Sequence, residues 1–162
     1  MGDYYPNYHS YLNLLRGVLK VMEEDWQLAA NELGITQAEQ HILWIIYMEH
    51  KATMSKVAEI GLWDLSTVMQ IIKRLKGKQL VKIEKNENDL RVSYVTLTEK
   101  GEEIRKLSGE KSHRFLQFIE EYANSNNGFL EQFHSFLQKA NGHFHGQNFV
   151  SWVEKTSSTI NE

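Results

Sequence analysis

Apolar residues between positions 53 and 98 change their spacing in a way that predicts distinct elements. From about Asp64 to Gly77 they recur every three or four positions, which predicts an amphipathic helix; these residues are Leu65, Val68, Ile71, Ile72 and Leu75. A shorter helical segment, TMSKVAEI, precedes it across a turn around Gly61. After it, LVKIEK and RVSYVTL flank the polar stretch NENDL, which predicts a two-stranded hairpin. This order describes a helix-turn-helix with a wing, a module that binds DNA.

The polar side of the second helix carries groups that suit nucleic acid. Hydroxyl, amide and cationic side chains bind base edges and phosphates, and this side holds Ser66, Thr67, Gln70, Lys73 and Arg74. Asp64 or Ser66 can cap the helix start, because a short side-chain oxygen accepts a free backbone N–H there. A solvent-exposed amphipathic helix that binds no DNA would show the same pattern. The choice between the two interpretations therefore depends on the hairpin.

The hairpin carries a family resemblance. Asp89-Leu90-Arg91 at its tip and Leu97-Thr98-Glu99-Lys100-Gly101 after it resemble the D-x-R wing signature and the L-T-x-x-G close of the MarR family of bacterial winged-helix regulators. Within that family, segments 41–45, 55–61 and 65–67 are most similar to Hpr-type regulators. The motif resemblance covers about residues 39–101. The expected fold is mainly α with a small β-hairpin wing, a winged helix-turn-helix plus a helical dimerisation region.

One residue departs from the family pattern. The family usually ends its recognition helix with glycine just before the first wing strand, where this chain has Gln79, and the nearby glycine is Gly77. Glycine is favoured at a helix end because it tolerates the left-handed conformation. We therefore expect the last turn to unwind two residues early and the angle of the wing to change.

The resemblance implies a homodimer that represses transcription by binding double-stranded DNA at a pseudo-palindromic operator. In that interpretation Ser66, Thr67 and Gln70 lie near base edges, and Lys73 and Arg74 hold phosphates. Arg91 lies in or beside the minor groove, aimed by Asp89. The full set of expected DNA-binding residues is Ser55, Ser66, Thr67, Gln70, Lys73, Arg74, Asp89 and Arg91.

The N-terminal segment has a seven-residue apolar repeat. Its residues alternate spacings of four and three, as in a coiled coil: Tyr8, Leu12, Leu15, Leu19, Met22, Trp26, Ala29 and Leu33. A second apolar stripe beside it indicates burial on more than one side. We predict a dimer interface that includes Tyr8, Leu12, Leu15, Leu19, Phe149 and Trp152, and the central helix of a monomeric bundle is the alternative.

The rest of the chain divides around this module. Thr36 and Glu39 form a capping box that starts a helix to about residue 49. After the wing we expect a long helix from Thr98 through about residue 123, then a helix over 129–140, a loop over 141–146 and a short last helix. The predicted domains are 1–34 for dimerisation, 35–100 for DNA binding and 101–162 to complete the dimerisation region.

Aromatic and histidine residues give two further candidates. Trp26, Trp44, Tyr47 and Trp63 are a candidate pocket for a small-molecule effector, because MarR-family ligands often lie between the dimer helices and the winged helix; packing in the core is the plain alternative. His113, His134, His143 and His145 are candidate zinc ligands, but no two histidines share the i, i+4 spacing on one helix. We expect no metal site and no cofactor.

Composition excludes several classes. The 162 residues include no cysteine, which excludes disulfides and thiol-ligated metals. Phosphate-cradling, dinucleotide-binding and serine-nucleophile motifs are missing, so we expect no enzyme. The net charge is −3, yet residues 51–100 hold ten Lys and Arg against six acids, which leaves −7 for the rest. That basic segment suits DNA, although a winged-helix protein-interaction module and a ligand- or metal-responsive sensor remain alternatives.

The N-terminal residues and the length of the apolar runs predict the cellular location of the protein. Met1 to Pro6 lacks a basic region followed by an apolar run, so we expect no signal peptide. No apolar run reaches the length that spans a membrane, so we expect no membrane association. The expected location is the cytoplasm.

Overall fold

The computed structural model describes residues 8–160, with side chains described to residue 157. The expectation about a signal peptide falls on Met1 to Pro6, outside the described residues. The elements are α1 (Tyr8–Glu32), α2 (Gln37–Glu49), β1 (Ala52–Thr53), α3 (Met54–Gly61), α4 (Leu65–Gly77), β2 (Val81–Lys85), β3 (Ser93–Leu97), α5 (Glu99–Gly109), α6 (Arg114–Asn124), α7 (Phe129–His145) and α8 (Gln147–Ile160). Over the described range, no helix combines the length and apolar character needed to cross a bilayer.

The mainly helical fold with a hairpin wing is confirmed, with one strand more than the sequence predicted. The wing strands β2 and β3 pair antiparallel, with Val81 opposite Leu97 and Lys85 opposite Ser93. The short strand β1 pairs with the other edge of β3, so the sheet order is β1-β3-β2. The wing is therefore anchored to the residues just before the helix-turn-helix.

The hydrophobic core lies almost wholly between residues 35 and 95, in the segment from α2 to β3 that we call the winged-helix domain. It is built from the inner sides of α2, α3 and α4 with one side of the sheet, and its fully buried residues include Ile42, Leu43, Ile45, Ile46, Val57, Val68, Ile72, Leu75 and Val95. Burying each such aliphatic side chain contributes about 1.5–3 kcal/mol. Leu65, expected on this apolar face, is 45% exposed because it lies at the first turn of α4.

The end of α4 corrects the expectation about Gly77. The helix does not unwind early, because Gln79 itself takes the left-handed conformation, with φ 62°. The Gln79 N–H donates to the Lys76 carbonyl at 2.9 Å and the Leu80 N–H donates to the Leu75 carbonyl at 3.0 Å. These two hydrogen bonds are the Schellman motif that glycine usually closes. Gln79 thus occupies a glycine position at a conformational cost.

A tight junction joins the end of α4, the wing and α5. The Thr98 N–H donates to the Leu80 carbonyl at 3.1 Å, and the Thr98 hydroxyl donates to the Gln79 carbonyl at 2.7 Å. The same hydroxyl oxygen accepts the Gly101 N–H at 3.0 Å and so caps α5. A Cβ on Gly101 would lie 2.0 Å from the Leu80 oxygen. Glycine is required at this position because the backbones approach so closely.

The long helix expected from Thr98 to residue 123 is wrong, because the chain breaks between α5 and α6. Asp25 of α1 accepts the Arg114 backbone N–H at 2.7 Å and its Nε–H at 2.6 Å, and so holds the start of α6. The Arg114 side chain lowers the pKa of this buried carboxyl below its ordinary value. At the end of α5, the Trp44 indole donates to the Ser108 hydroxyl at 3.0 Å. These contacts join residues far apart in sequence.

The loop expected over 141–146 is also wrong in extent. Residues 141–145 continue α7, and the break falls at Gly146, whose φ is 85°. The last helix, α8, is longer than predicted and begins at Gln147. A helix of 17 residues followed by one of 14 makes a hairpin in which the two helices pack mainly on each other.

Candidate nucleic-acid interface

The recognition helix α4 separates its buried and exposed residues cleanly after its first turn. Val68, Ile71, Ile72 and Leu75 are buried against the core. On the other side, Ser66, Gln70, Lys73 and Arg74 are exposed, and Thr67 is half-buried. The structure therefore brings the five predicted polar residues to one surface, together with the exposed thioether of Met69.

The start of α4 is held by Asp64, which decides between the two caps that the sequence allowed. Its Oδ1 accepts the Thr67 N–H at 2.9 Å. The Ser66 hydroxyl donates to Oδ1 at 2.5 Å and the Thr67 hydroxyl donates to Oδ2 at 2.6 Å. These hydroxyl and amide donors hold the pKa of Asp64 well below its ordinary value, so the carboxyl is ionised at neutral pH.

A buried acid couples the end of α4 to the start of α2. Glu39 is fully buried, and its Oε2 accepts the Thr36 N–H at 2.8 Å and the Lys78 ammonium at 2.7 Å. Its Oε1 lies 3.5 Å from the Arg74 Nε. Burial alone would raise the pKa of Glu39, but hydrogen bonds from Lys78 and Thr36 and the charge of Arg74 lower it overall. Arg74 is thus ion-paired although half exposed.

The wing tip presents an oriented arginine. Arg91 Nε donates to Asp89 Oδ1 at 3.0 Å and Nη2 donates to Oδ2 at 3.2 Å, while the Arg91 backbone N–H also reaches Oδ1 at 3.1 Å. The pair lowers the pKa of Asp89 and raises that of Arg91. The Arg91 side chain is 91% exposed. Asp89 therefore fixes the orientation of the guanidinium through Nε and Nη2, while the Arg91 side chain remains accessible to solvent.

Ser55, the remaining predicted DNA-binding residue, lies apart from α4 in sequence. It is exposed in the first turn of α3, whose start is capped by the Thr53 hydroxyl accepting the Lys56 N–H at 3.1 Å. Behind it, Lys56 pairs with Glu59 at 3.2 Å on the same helix. The structure therefore keeps the hydroxyl of Ser55 on the surface of the helix-turn-helix.

The residues predicted for dimerisation fall into two groups. Tyr8, Leu12, Leu15 and Leu19 are all more than half exposed along α1. Trp152 of α8 instead packs on the core of its own winged-helix domain and donates its indole N–H to Glu49 at 2.7 Å. Phe149 is half-buried beside it, next to His145. Only the α1 group forms a continuous exposed apolar stripe.

The residues predicted for an effector pocket also separate. Trp26 and Trp44 line one cavity of about 320 Å³, together with Gln40, His41, His113 and Trp152. Tyr47 packs against Trp44 and the Arg105 guanidinium instead, and Trp63 meets His41 edge to face. The buried Gln40 has a side-chain oxygen that accepts no hydrogen bond within the described structure.

Two sets of ion-pair contacts, near the candidate interface and the terminal helices, were not predicted from the sequence. The capping box identified Glu39 but gave no sign of its ion pairs, because Lys78 and Arg74 come from α4, more than thirty positions away. Asp25 lies within an apolar repeat, and that unexpected acid was the available signal for its contact with Arg114. Within the described residues, no group of three or more His, Asp or Glu side chains is placed to hold a metal ion.

Comparison with known families decides the identity. The model of the transcriptional regulator SarA/Rot family matches residues 26–106. The chain belongs to this family. The matched segment contains the whole winged-helix domain, so the chain is a DNA-binding transcriptional regulator and not an enzyme.

Individual relatives agree with this assignment. The regulator Hpr of Bacillus licheniformis is 29% identical over 159 residues, covering 91% of this chain and 72% of that protein. Hpr of Halalkalibacterium halodurans is 33% identical over 117 residues, covering 72% of this chain and 56% of the relative. A mutant MarR from E. coli, solved with operator DNA, has a TM-score of 0.71 at 21% identity, covering 86% of this chain and 99% of that one. The resemblance to MarR-type and Hpr-type regulators is confirmed.

Proposed function

We propose that this SarA/Rot-family protein is a homodimeric repressor in the cytoplasm that binds a pseudo-palindromic operator through α4 and the wing. The observation that carries the proposal is the outer side of α4, where hydroxyl, amide and cationic groups lie opposite the buried residues Val68, Ile71, Ile72 and Leu75. Occupation of promoter DNA would block transcription. Half-sites would lie about one helical turn, roughly 10 bp, apart.

In this proposal α4 enters the major groove by its first two turns. Ser66, Thr67 and Gln70 lie near base edges, while Lys73 and Arg74 further along hold phosphates. Ser55 on α3 contacts the backbone from the neighbouring helix. Arg74 keeps its ion pair with Glu39 through Nε, which leaves its terminal nitrogens for a phosphate.

The wing supports the same proposal. Arg91 projects from the hairpin tip, and its contact with Asp89 limits the orientations that the guanidinium samples before binding. A narrow A·T-rich minor groove concentrates negative potential and attracts such a side chain. Pre-orientation reduces the entropy lost when Arg91 binds DNA.

Titration of DNA with Arg91→Ala tests this function. In fluorescence anisotropy with duplexes selected from a random pool, the variant should bind about tenfold more weakly, because it loses a charged contact. Lys106→Ala, an exposed cation on α5, is the matched control and should bind as wild type does. Equal affinity for Arg91→Ala removes the wing from the mechanism. Failure of the wild type to bind any duplex at low salt would favour a winged-helix protein-interaction module.

A second candidate function is a response to a small-molecule effector. The observation in its favour is the cavity between α1, α2, α5 and α8, lined by Trp26, Trp44 and Trp152. A ligand bound there would touch both the terminal helices and the winged-helix domain. A thermal-shift screen with aromatic acids and zinc tests it, because a ligand that prefers the native state raises the Tm. Trp44→Ala should abolish any such shift.

A further inference from the structure

At the start of α4, two hydroxyl groups already use their protons in hydrogen bonds within the protein. Ser66 and Thr67 both donate to the Asp64 carboxylate, at 2.5 Å and 2.6 Å. A carboxylate that carries no proton can only accept hydrogen bonds, so the proton in each of these contacts belongs to the hydroxyl. Each hydroxyl has one proton and two acceptor lone pairs. With the proton used, Ser66 and Thr67 can offer an incoming molecule only acceptor positions.

This polarity limits what these two side chains can bind. Phosphate oxygens of DNA are acceptors at neutral pH, so acceptor-only hydroxyls gain nothing from them, and the Asp64 carboxylate repels them. In the major groove, guanine O6 and N7 and thymine O4 are also acceptors. The hydrogen-bond donors on the base edges there are the exocyclic amino groups of adenine and cytosine.

We propose that Asp64 is a positioning residue that sets the base preference of α4, by making Ser66 and Thr67 acceptors for the amino group of an adenine or a cytosine. This inference rests on the proposed entry of α4 into the major groove. Ser66 is exposed and Thr67 is half-buried, so the Ser66 oxygen is the main contact. Gln70, one turn further, has an amide that both donates and accepts and imposes no such restriction.

The decisive experiment uses wild-type protein and modified DNA. A duplex is first selected from a random pool, and each adenine is then replaced in turn by purine and each cytosine by pyrimidin-2-one, which lack the amino group. At the base pair beneath α4, the loss of one amino group should weaken binding by about tenfold, whereas most other positions should change little. Tolerance of every replacement overturns the inference.

Variants of the protein test whether Asp64 causes this base preference. In Asp64→Gly the carboxylate is removed and the protons of both hydroxyls become free, while glycine remains a tolerated residue at the start of a helix. Selection with this variant should accept guanine or thymine at the same position, at which wild type requires adenine or cytosine. Glu59→Gln removes a negative charge from α3 without touching the two hydroxyls and is the control for charge. A preference that is unchanged in Asp64→Gly contradicts the role of Asp64.

A third variant covers a folding failure of Asp64→Gly. Ser66→Ala should lose the discrimination between the natural and amino-free duplexes while still melting cooperatively, because Asp64 keeps its backbone contact with Thr67. Retained discrimination in Ser66→Ala overturns the assignment of the contact. If wild type binds no duplex at all, the proposed function falls along with this inference; binding without amino-group dependence removes the inference alone.

Discussion

The winged-helix domain and the terminal helices differ in how they bury apolar surface. Between residues 35 and 100, buried side chains from α2, α3, α4 and the sheet form one core. By contrast, α6 and α7 contain no buried residue, and the first half of α1 exposes most of its leucines. The same chain thus holds a domain whose interior its own residues complete and helices whose apolar sides are left uncovered. Contiguous exposed apolar surfaces mark protein interfaces.

The difference indicates that the two regions obtain stability from different sources. Caps, ion pairs and the core fix the winged-helix domain within one chain, so its stability should not depend on protein concentration. The terminal helices would gain most of theirs by association, as in obligate dimers, so their order should depend on concentration. Three variants can break or sharpen this contrast.

The largest effect is expected from Leu15→Glu combined with Leu19→Glu. Two charges on the exposed α1 stripe should reduce the solution mass measured by light scattering from two subunits to one. Affinity for the selected duplex should fall by about 100-fold, because paired binding is lost. Leu90→Glu, on an equally exposed leucine at the wing tip, is the control and should leave the mass unchanged. A mass of one subunit for wild type would refute the contrast.

A smaller effect, confined to the winged-helix domain, is expected from Glu39→Gln. It removes a buried charge that pairs with Lys78 and Arg74 and should cost about 3 kcal/mol of unfolding free energy at pH 7. Because the folded-state pKa is lowered from its ordinary 4.5, the stabilisation is complete above that pH and is lost as pH falls through the folded-state pKa. Urea titrations from pH 7 to 3 should therefore show wild type converging on the variant.

Two comparisons check this prediction. Glu59→Gln breaks an exposed pair with Lys56 and should change the free energy by less than about 0.5 kcal/mol. The cost of Glu39→Gln should also be the same at low and high protein concentration, since its partners lie in one chain. A constant difference between Glu39→Gln and wild type across the pH range would argue against the ion-pair network.

The smallest effect is a gain, from Gln79→Gly. Gln79 holds φ at 62°, which costs a non-glycine residue about 1 kcal/mol, and part of that should be recovered as a higher Tm. Gly77→Ala, which removes a glycine instead of introducing one, should also raise the Tm. A Cβ there meets nothing within 4 Å, and alanine favours the helix by about 1 kcal/mol. A lower Tm for Gln79→Gly would mean that the glutamine side chain outweighs the backbone strain.

Sequence reasoning was accurate where the determining contacts are local. The capping box of Thr36 and Glu39, the apolar side of α4 and the wing hairpin all follow from residues a few positions apart, and each is confirmed. It failed between α5 and α6, because the break there is held by Asp25 and Trp44, which are distant in sequence. The extension of α7 through Asn141 and Gly142 was missed because these residues are typical of loops.

For the candidate interface, the residue types and their common side were predictable, but their chemistry was not. The helical period places Ser66, Thr67 and Gln70 together, yet only coordinates show that Asp64 takes the hydroxyl protons. Likewise Arg74 was predicted only to hold a phosphate, whereas the structure also pairs it with Glu39. Pair contacts of this kind depend on rotamers and on approach between helices, which spacing does not encode.

The junction around Leu80, Thr98 and Gly101 has a mechanical consequence. Hydrogen bonds and close backbone contact there join the last turn of α4, the end of strand β3 and the first turn of α5. These contacts leave no hinge between the three elements. If α5 tilts, α4 and the wing hairpin therefore turn with it through the same angle, because the three elements form one rigid unit. Residues 110–113 connect this unit to α6, whose start is held by Asp25 of α1, so the unit and α1 are linked through that contact.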